Sequence, residues 1–323
     1  MKICVTGGAG YLGALATGDL LAAGHEVTVL DSLLHGQHAV AAELAGLGAR
    51  IVEGDVRDAA ARRAALAGSA AVVHLAAIVG DPACARRPAL SRAVNVDAGR
   101  ALAHDVRLLR IRRLVFASTC SNYGRTGDDR WLVDETAPLR PVSLYAEQKV
   151  TIERELLERR DGGPAVTCLR FATVYGVAPR MRFDLTVNEF TRDLWAGRRL
   201  DVFGEQFWRP YVHVGDAAAA IRRVIEAPRE RVAGRVYNVG RSDENHRKLD
   251  LVELIVARLG RGDVRYVHRA EDPRDYRVSF ERIRAELGFV PTRRVPDGVE
   301  EVVAALEAGR FDDPFAHRYA NAA

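Results

Sequence analysis

Lysine is nearly absent from this chain of 323 residues, which has 47 basic residues of which only positions 2, 149 and 248 are lysines. Acidic residues almost balance the basic ones, giving a net charge of +4. No run of basic residues alternates with aromatic ones, so the pattern excludes the electrostatic footprint of a nucleic-acid-binding protein. Most of the arginines are therefore expected to lie on solvated surfaces.

Cysteines and long apolar runs are also scarce. The four cysteines, at positions 4, 84, 120 and 168, lie far apart and predict reduced thiols rather than a disulfide framework or a metal cluster. His35 and His38 form an unsupported pair, so no metal site is predicted. The longest apolar run, Ala70 to Val79, is interrupted by His74 and is too short to span a bilayer. Because the first predicted strand begins at residue 2, no signal peptide is expected and the protein is expected to be cytoplasmic.

A glycine-rich turn follows this first strand. Residues 2–6 predict a short buried strand that runs into Gly7-Gly8-Ala9-Gly10-Tyr11-Leu12-Gly13, and apolar residues at helical spacing come next. The backbone N–H groups and the dipole of such a helix N-terminus bind a pyrophosphate. A second strand, residues 26–30, ends at Asp31, whose carboxylate can accept hydrogen bonds from adenosine ribose hydroxyls. The pattern therefore predicts a dinucleotide site.

Short β-branched runs alternate with helical stretches up to about residue 176. These runs are residues 50–53, 71–75, 114–117 and 166–170, with a return strand at 236–239. The alternation predicts an α/β fold with a doubly wound (Rossmann), mostly parallel sheet, whose ligands bind beyond the carboxyl ends of the strands. We expect a NAD-binding domain over residues 1–176, with a return segment near 211–243, and a smaller mixed α/β substrate lobe over residues 177–323.

Tyr145 and Lys149 stand four residues apart, which places them on one face of a helix. A free tyrosine has a pKa of about 10, and a neighbouring ammonium favours its charged form, so the pair predicts a usable base near neutral pH. Lysine suits this role better than arginine because it is a compact donor that can also bind a sugar hydroxyl. The alternative interpretation is a solvated helix face.

The remaining motifs form an ordered set. They are Gly54-Asp55-Val56, His74-Leu75-Ala76-Ala77, Asn95-Val96, Ser118-Thr119-Cys120-Ser121-Asn122-Tyr123-Gly124, Leu169-Arg170-Phe171 and Arg209-Pro210-Tyr211-Val212-His213-Val214. Together with the glycine turn and the Tyr-Lys pair, this set resembles the NAD-dependent nucleotide-sugar epimerase/dehydratase branch of the extended short-chain dehydrogenase/reductases. The resemblance covers essentially the whole chain, and it implies that Asn95 is structural.

The resemblance implies roles for single residues. Thr119 would bind the hydroxyl that is oxidised, Tyr145 would be the base, and Lys149 would hold the nicotinamide ribose. Asp55 and Val56 would flank the adenine. In all, the resemblance implies a NAD site formed by Gly7, Gly10, Tyr11, Leu12, Asp31, Ser32, His35, Gly36, Asp55, Val56, Leu75, Ala76, Ala77, Asn95, Tyr145, Lys149 and Phe171.

The implied chemistry begins with oxidation of a sugar carbon, most often C4, to give a transient keto-sugar while hydride passes to the nicotinamide. Redox-neutral members return the hydride later. Dehydrating members resemble one another in an Asp-Glu pair directly after the active-site threonine, because elimination needs an acid and a base. Cys120 and Ser121 stand at those positions here, so 4,6-dehydration is disfavoured. Decarboxylation, which the resemblance associates with a glutamate at position 121, is disfavoured as well.

Two activities remain as the leading interpretations. The first is a nucleotide-sugar epimerase, in which the keto-sugar turns over and receives hydride on its other face. The second is an NAD(P)H-dependent 4-ketoreductase of a nucleotide keto-deoxysugar. Asp31 favours the first, since NADPH-using enzymes tend to replace this acid or place arginines beside it. A non-catalytic NAD(H) sensor is a third interpretation, but it would give Thr119, Tyr145 and Lys149 no purpose.

The implied substrate is a nucleotide-diphosphate sugar. Arg209 and either Arg269 or Arg274 are candidates for binding its diphosphate, because a guanidinium fork suits paired oxygens. For each of these arginines a surface salt bridge is the alternative. Thr173 stands where many epimerases have an asparagine that touches the sugar. Tyr276 would either border the sugar pocket or pack under the C-terminal tail.

Three helical stretches have alternative uses. The segment from Met181 to Phe190 would cover the nucleotide or form an amphipathic core helix. The resemblance implies a homodimer built on two helices per subunit, near Val96 to Leu109 and Tyr145 to Arg159. The apolar stripe formed by Ile152 and Leu156 would serve that interface or simply pack in the core.

Overall fold

The computed structural model describes residues 1–126, 132–158, 162–268 and 274–321. The strands of the described residues are β1 (Lys2–Thr6), β2 (Glu26–Asp31), β3 (Arg50–Glu53), β4 (Ala71–His74), β5 (Arg113–Thr119), β6 (Ala165–Phe171), β7 (Thr173–Tyr175), β8 (Leu200–Phe203), β9 (Trp208–His213), β10 (Arg235–Val239), β11 (Asn245–Arg247) and β12 (Val264–Val267).

The helices of the same residues are α1 (Tyr11–Ala22), α2 (His38–Gly46), α3 (Ala59–Leu66), α4 (Asp81–Arg86), α5 (Pro88–Arg92), α6 (Ala98–Leu108), α7 (Leu144–Glu158), α8 (Thr186–Trp195), α9 (Val214–Glu226), α10 (Arg229–Val232), α11 (Lys248–Leu259), α12 (Glu281–Leu287) and α13 (Val295–Glu307). A π-helical turn (Ala93–Asp97) joins α5 to α6, and short 3₁₀ turns follow at Cys120–Tyr123 and His317–Tyr319. None of the described helices is long and apolar enough to cross a bilayer.

The main sheet has seven parallel strands in the spatial order β10-β6-β5-β4-β1-β2-β3. Its central strands are buried along nearly their whole length, as β4 and β6 show, because helices cover both faces. The strand order reverses between β1 and β4, and in such sheets the ligand crevice lies beyond the carboxyl ends of the strands at that point. The predicted doubly wound fold is confirmed.

Two smaller sheets form the mixed part of the fold. In one, β9 lies between the antiparallel β11 and the parallel β7, and in the other β8 pairs with β12 in parallel. Buried apolar residues from these sheets and from α8, α11 and α13 form a separate hydrophobic cluster, which includes Val187, Leu251 and Val299. Between β9 and β11 the chain returns to the main sheet, where β10 pairs with β6.

Helix α1 shows how the sequence places the glycine turn. It begins at Tyr11, directly after Gly10, and its buried residues Ala14 and Leu20 pack in the core together with Ile221 of α9. Complete burial of a leucine contributes about 1.5–3 kcal/mol, so this face fixes the helix against the sheet. The helix N-terminus is thereby held at the carboxyl edge of β1.

Two of the helical stretches with alternative interpretations can be compared with the structure. Residues 181–185 of the segment from Met181 to Phe190 are not helical, and the amphipathic helix α8 begins only at Thr186. Arg182 and Leu185 line the main cavity, whereas Phe190 is buried. Ile152 and Leu156 are 1% and 7% exposed within the chain itself, which is the core-packing arrangement.

Candidate active site

A cavity of about 450 Å³ lies at the carboxyl edge of the main sheet. Two sets of lining residues define its ends. The loop end is formed by Gly7, Gly10, Asp31 and Asp55, and the tyrosine end by Thr119, Ser121, Tyr145, Lys149 and Tyr276. Because β2 and β5 are three strands apart in the sheet, the two ends are separated by roughly 14 Å at about 4.8 Å per strand.

Backbone forms most of the loop end. Gly7 has a φ of +72°, and a Cβ built on it would lie 2.7 Å from the backbone nitrogen of Ala76. A Cβ on Gly13 would overlap the carbonyl oxygen of Gly7. Only glycine permits this close approach of β1, α1 and the end of β4. The result is a backbone cradle at the N-terminus of α1.

Asp31 closes the loop end at the last residue of β2. Its carboxylate accepts hydrogen bonds from the backbone N–H groups of Ala9 and Leu33, each at 3.0 Å. Burial raises the pKa of Asp31, while these two hydrogen bonds oppose the rise. The carboxylate is therefore fixed by the glycine turn rather than mobile.

Asp55 and Val56 lie at the same end of the cavity. Arg57 holds the Asp55 carboxylate through both of its oxygens, the shortest contact being 2.6 Å, and so lowers the pKa of Asp55. The Arg57 guanidinium is thus neutralised by its own neighbour.

At the tyrosine end, Thr119 is the last residue of β5, and Tyr145 and Lys149 come from the first turns of α7. The Lys149 ammonium lies 5.8 Å from the centre of the Tyr145 ring and donates a hydrogen bond of 2.8 Å to the carbonyl oxygen of Ala117. Helical spacing therefore brings the pair together as predicted. Lys149 is buried, so the solvated-face interpretation is wrong.

Burial dominates the titration of this pair. It raises the pKa of Tyr145 well above the ordinary value of a phenol, and it lowers the pKa of Lys149 to about 8. The sequence predicted that Lys149 would lower the phenol pKa, but in the protein alone desolvation of the phenolate has the larger effect. Burial, with Lys149 second, also lowers the pKa of the neighbouring His74 to about 3, so this imidazole is neutral.

The two residues after Thr119 face different surroundings. Cys120 is 1% exposed and its thiol donates to the carbonyl oxygen of Arg170, so it belongs to the core. Ser121 lines the cavity, with its hydroxyl oxygen 3.3 Å from the hydroxyl oxygen of Tyr276. Among the described lining residues the carboxylates are Asp31 and Asp55, both at the loop end. The tyrosine end therefore offers hydroxyls and an ammonium but no carboxylate.

A buried polar network supports the tyrosine end. Glu153, one helical turn after Lys149, pairs with Arg170 of β6 at 2.5 Å and accepts a hydrogen bond from Ser118, the residue before Thr119. This network ties α7 to β5 and β6. Sequence reasoning missed it, although the i, i+4 series that contains Tyr145 and Lys149 continues to Glu153.

Fifteen of the residues implied to contact NAD line the cavity. They are Gly7, Gly10, Tyr11, Leu12, Asp31, Ser32, His35, Asp55, Val56, Leu75, Ala76, Ala77, Tyr145, Lys149 and Phe171. Gly36 and Asn95 are not among the lining residues. The N–H of Gly36 bonds to the carbonyl of Leu33 in a turn, and the Asn95 amide bonds to both backbone groups of Ile78. Asn95 therefore has the structural position that the resemblance implied.

The predicted substrate residues are divided. Thr173, Arg274 and Tyr276 line the cavity, and Arg274 also forms an ion pair of 2.8 Å with Asp81. Arg209 does not line it: the side chain is buried against the ring of Tyr276, and one terminal nitrogen donates to the carbonyl of its neighbour Trp208. Arg269 lies outside the described residues.

Three arginines of the cavity, Arg57 among them, were not predicted. Arg180 and Arg182, in the loop between β7 and α8, both line it. The signal was the sequence Pro179-Arg180-Met181-Arg182 shortly after a strand end, but arginines had been assigned to solvated surfaces. Within the described part of the chain, no group of three or more His, Cys, Asp or Glu side chains is placed to hold a metal ion.

Known proteins share this architecture. The sequence pattern of the NAD dependent epimerase/dehydratase family matches residues 3–240. A UDP-glucose 4-epimerase of Corynebacterium glutamicum is 30% identical, over 90% of this chain and 91% of its own length. A dTDP-glucose 4,6-dehydratase of Streptomyces niveus is 32% identical, over 94% and 92%. The structure of a UDP-glucose 4-epimerase of Thermus thermophilus with NAD superposes with a TM-score of 0.83 at 28% identity, covering 95% of this chain and 99% of that one.

The fold and the site define an enzyme that uses a nicotinamide dinucleotide. More specifically, the chain belongs to the NAD dependent epimerase/dehydratase family, and its cofactor is NAD. The loop end fits this cofactor, since the glycine cradle leaves backbone N–H groups and a helix N-terminus open toward the cavity and Asp31 stands at the end of β2. Relatives of similar identity include both epimerases and dehydratases, so the comparisons establish the family but not the reaction.

Proposed function

We propose that this protein is a nucleotide-sugar epimerase that acts through a transient 4-keto-sugar. The observation that carries the proposal is the composition of the tyrosine end: Thr119, Ser121, Tyr145, Lys149 and Tyr276 line it, and no carboxylate of the described residues does. Such a set can hold a sugar hydroxyl and move its proton. Among the described residues, it lacks a carboxylic acid that could protonate a departing hydroxide.

Each residue then has a defined task. Thr119 accepts or donates a hydrogen bond to the reacting hydroxyl, and Tyr145 takes the hydroxyl proton and later gives it back. Lys149 supplies a fixed positive charge beside the phenol. NAD, when bound, supplies the hydride acceptor and a further positive charge. Burial raises the pKa of Tyr145 in the protein alone, and the positive charge of bound NAD would oppose that rise.

Dehydration is the activity of some relatives, and the site argues against it here. Elimination of water needs a proton donor for the leaving hydroxyl and a base for the adjacent carbon. Cys120 is turned into the core, and burial raises the pKa of its thiol far above neutrality. Ser121 faces the cavity but offers only a hydroxyl. A net ketoreductase is the second candidate, because the same residues would serve the reductive half of the cycle alone.

The substrate is proposed to be a nucleotide-diphosphate sugar. The relatives are named for UDP-glucose and dTDP-glucose, so both nucleotides belong in the test. The purified enzyme would be incubated with a panel of UDP-, dTDP-, GDP- and CDP-sugars in deuterated water, with and without added NADH, and the products analysed by mass spectrometry. An isomer of equal mass that forms without added NADH and carries no deuterium on carbon supports the epimerase. Loss of about 18 mass units with deuterium uptake would establish a dehydratase, and strict dependence on NADH a reductase.

A further inference from the structure

Arg180 is a buried cation that the proposed reaction does not use. Its side chain lines the cavity, yet the residue is only 6% exposed. One terminal nitrogen donates a long hydrogen bond of 3.4 Å to the carbonyl of Ala320, and the buried Nε has no hydrogen-bond partner. Among the described residues no carboxylate lies within ion-pair distance of it. Because burial of an unpaired charge is costly, an anion is expected to bind beside this guanidinium.

Other arginines that line the cavity are already paired with carboxylates. Arg182 forms two hydrogen bonds with Asp184, at 2.9 and 2.8 Å, and Arg57 is paired in the same way with Asp55. Arg180 thus differs from its neighbours in lacking an anion. Burial, followed by the charge of Arg182, lowers the pKa of Arg180 to about 10, although the charges of Asp184 and Asp31 oppose the shift.

The loop that carries Arg180 is held in place from several sides. The side chain of Asn188 binds both backbone groups of Gly176 and the carbonyl of Arg182. On the outer side, the N–H of Phe183 donates to the carbonyl of Tyr319 at 2.8 Å, and the ring of Phe183 stacks edge to face with those of Phe311 and Tyr319. The guanidinium is therefore fixed in the cavity rather than free to swing into solvent.

The position of Arg180 indicates which anion it meets. The loop of Arg180 is tied directly to the glycine turn, because the Tyr11 hydroxyl donates to the carbonyl of Gly176 at 2.6 Å and accepts from the Asn188 amide at 3.1 Å. Tyr11 and Arg180 both line the cavity, so Arg180 lies in the part of the cavity beside that turn. In agreement with this position, Asp184 and then Asp31 act to raise the pKa of Arg180, against the larger effect of burial. In a Rossmann fold the part beside the glycine turn is where the pyrophosphate of the dinucleotide binds.

We propose that Arg180 is a phosphate-binding residue of the cofactor cavity and that its anion is the pyrophosphate of NAD. The backbone cradle of the glycine turn supplies neutral N–H donors, and Arg180 supplies the formal positive charge. The proposal depends on the identity of the cofactor and not on which sugar the enzyme converts, so failure of the epimerase assay would leave it intact.

The test is calorimetric titration of the protein with adenosine, ADP-ribose and NAD. Arg180→Gln should lower the affinity for ADP-ribose and NAD by roughly 10- to 100-fold, which is the usual effect of losing a hydrogen bond to a charged group. The affinity for adenosine should stay within about twofold of wild type. Arg180→Lys should recover part of the loss. Arg57→Gln is the matched control, because it removes a guanidinium from the same cavity that is already paired, and it should not change the ratio of ADP-ribose to adenosine affinity.

Ligand-free stability gives an independent readout. Since the unpaired charge opposes folding, Arg180→Met should unfold at the same or a higher urea concentration than the wild type, while ADP-ribose should stabilise it less. Equal loss of affinity for adenosine and ADP-ribose would show a merely structural role. The nucleotide sugar is the other possible source of phosphate, so UDP would be titrated in the presence of saturating NAD. If Arg180→Gln weakened the binding of UDP but not that of ADP-ribose, the anion would belong to the nucleotide sugar and the proposal would be overturned.

Discussion

The two ends of the cavity are built on different principles. The loop end is made of backbone from consecutive segments, with Gly7, Gly10 and Asp31 placed by the βαβ unit that they belong to. The tyrosine end is made of side chains from separate elements, since Thr119 ends β5, Tyr145 lies on α7 and Tyr276 comes from the C-terminal part. One end is thus a local structure that any Rossmann domain can form. The other exists only when distant parts of the chain have folded together.

This difference predicts a separation of function. Changes of Thr119 or Tyr145 at the tyrosine end should lower turnover and leave the affinity for NAD unchanged, whereas changes at the loop end should weaken the binding of NAD and leave turnover at saturating NAD unchanged. A variant that changed both turnover and NAD affinity would contradict this separation. Lys149 is the exception, because it is also expected to hold the nicotinamide ribose.

Tyr145→Phe should have the largest effect. It should lower kcat by about 10²–10⁴, or roughly 3–5 kcal/mol, because it removes the group that transfers the hydroxyl proton. The dissociation constant of NAD, measured by calorimetry, should stay within about twofold of wild type, since a phenol and a phenyl ring fill the same space. Tyr237→Phe is the control, because Tyr237 is a buried tyrosine whose hydroxyl bonds to Arg231 and Glu286, away from the cavity. Equal losses in both variants would contradict the assignment.

Lys149→Met should stabilise the protein while it destroys turnover. Burial lowers the pKa of Lys149 from 10.5 to about 8, so the protonated amine opposes folding below pH 8 and this penalty is relieved as the pH rises from 8 toward 10.5. The free energy of unfolding at pH 7 should therefore increase by roughly 1–3 kcal/mol in the variant.

Urea denaturation at pH 7 and pH 9.5 checks this expectation, and the difference between variant and wild type should shrink at the higher pH. Lys2→Met is the control, because its side chain is 60% exposed and should contribute little. A variant less stable than wild type at pH 7 would mean that the bond to Ala117 outweighs the cost of desolvation.

Gly7→Ala should act on the other end. Its φ of +72° and the approach of Ala76 would strain any side chain, so the glycine turn would shift. Because this backbone strain costs about 1–3 kcal/mol, the affinity for NAD should fall roughly 5- to 150-fold. The kcat measured at saturating NAD should stay the same. Gly18→Ala in α1 provides the matched control, since its Cβ would meet nothing within 4 Å and should stabilise the helix by about 0.5–1 kcal/mol. Preserved NAD affinity in Gly7→Ala would contradict the role of the cradle.

Asp31→Ala should give the smallest change. We expect the wild type to bind NAD far better than NADP, because the added phosphate would meet a carboxylate, and removal of that charge should narrow the preference by about five- to tenfold. Dissociation constants for both cofactors at one salt concentration provide the measurement. Similar constants for the two cofactors in the wild type would refute the expectation. In that case Arg180 and Arg182, which lie near this site, would be the first residues to examine.

The contrast also explains what could be predicted from sequence. The strands of the main sheet follow from short β-branched runs, and β3, β4 and β6 lie within one residue of the expected bounds. The Tyr145–Lys149 pair follows from its spacing, and Thr119 follows from the family resemblance. The position of Arg180 does not follow from the sequence, because its partner Ala320 is far away along the chain and nothing local distinguishes a paired arginine from an unpaired one. Arg274 was a candidate, but its ion pair with Asp81 could not be predicted for the same reason. Cys120 and Ser121 are neighbours in the sequence, but in the 3₁₀ turn Cys120 is buried in the core and Ser121 lines the cavity.

The return of β10 to the main sheet bears on how this protein can be divided. All seven residues of β6 are buried, and one of its edges is covered by β10, which is synthesised only after residues 172–234. A fragment that stops before residue 235 would leave apolar β6 as an open edge, with unpaired backbone groups that template intermolecular strand pairing. We therefore expect truncated chains to aggregate, so that expression of the first 176 residues alone would yield insoluble material instead of a free nucleotide-binding module.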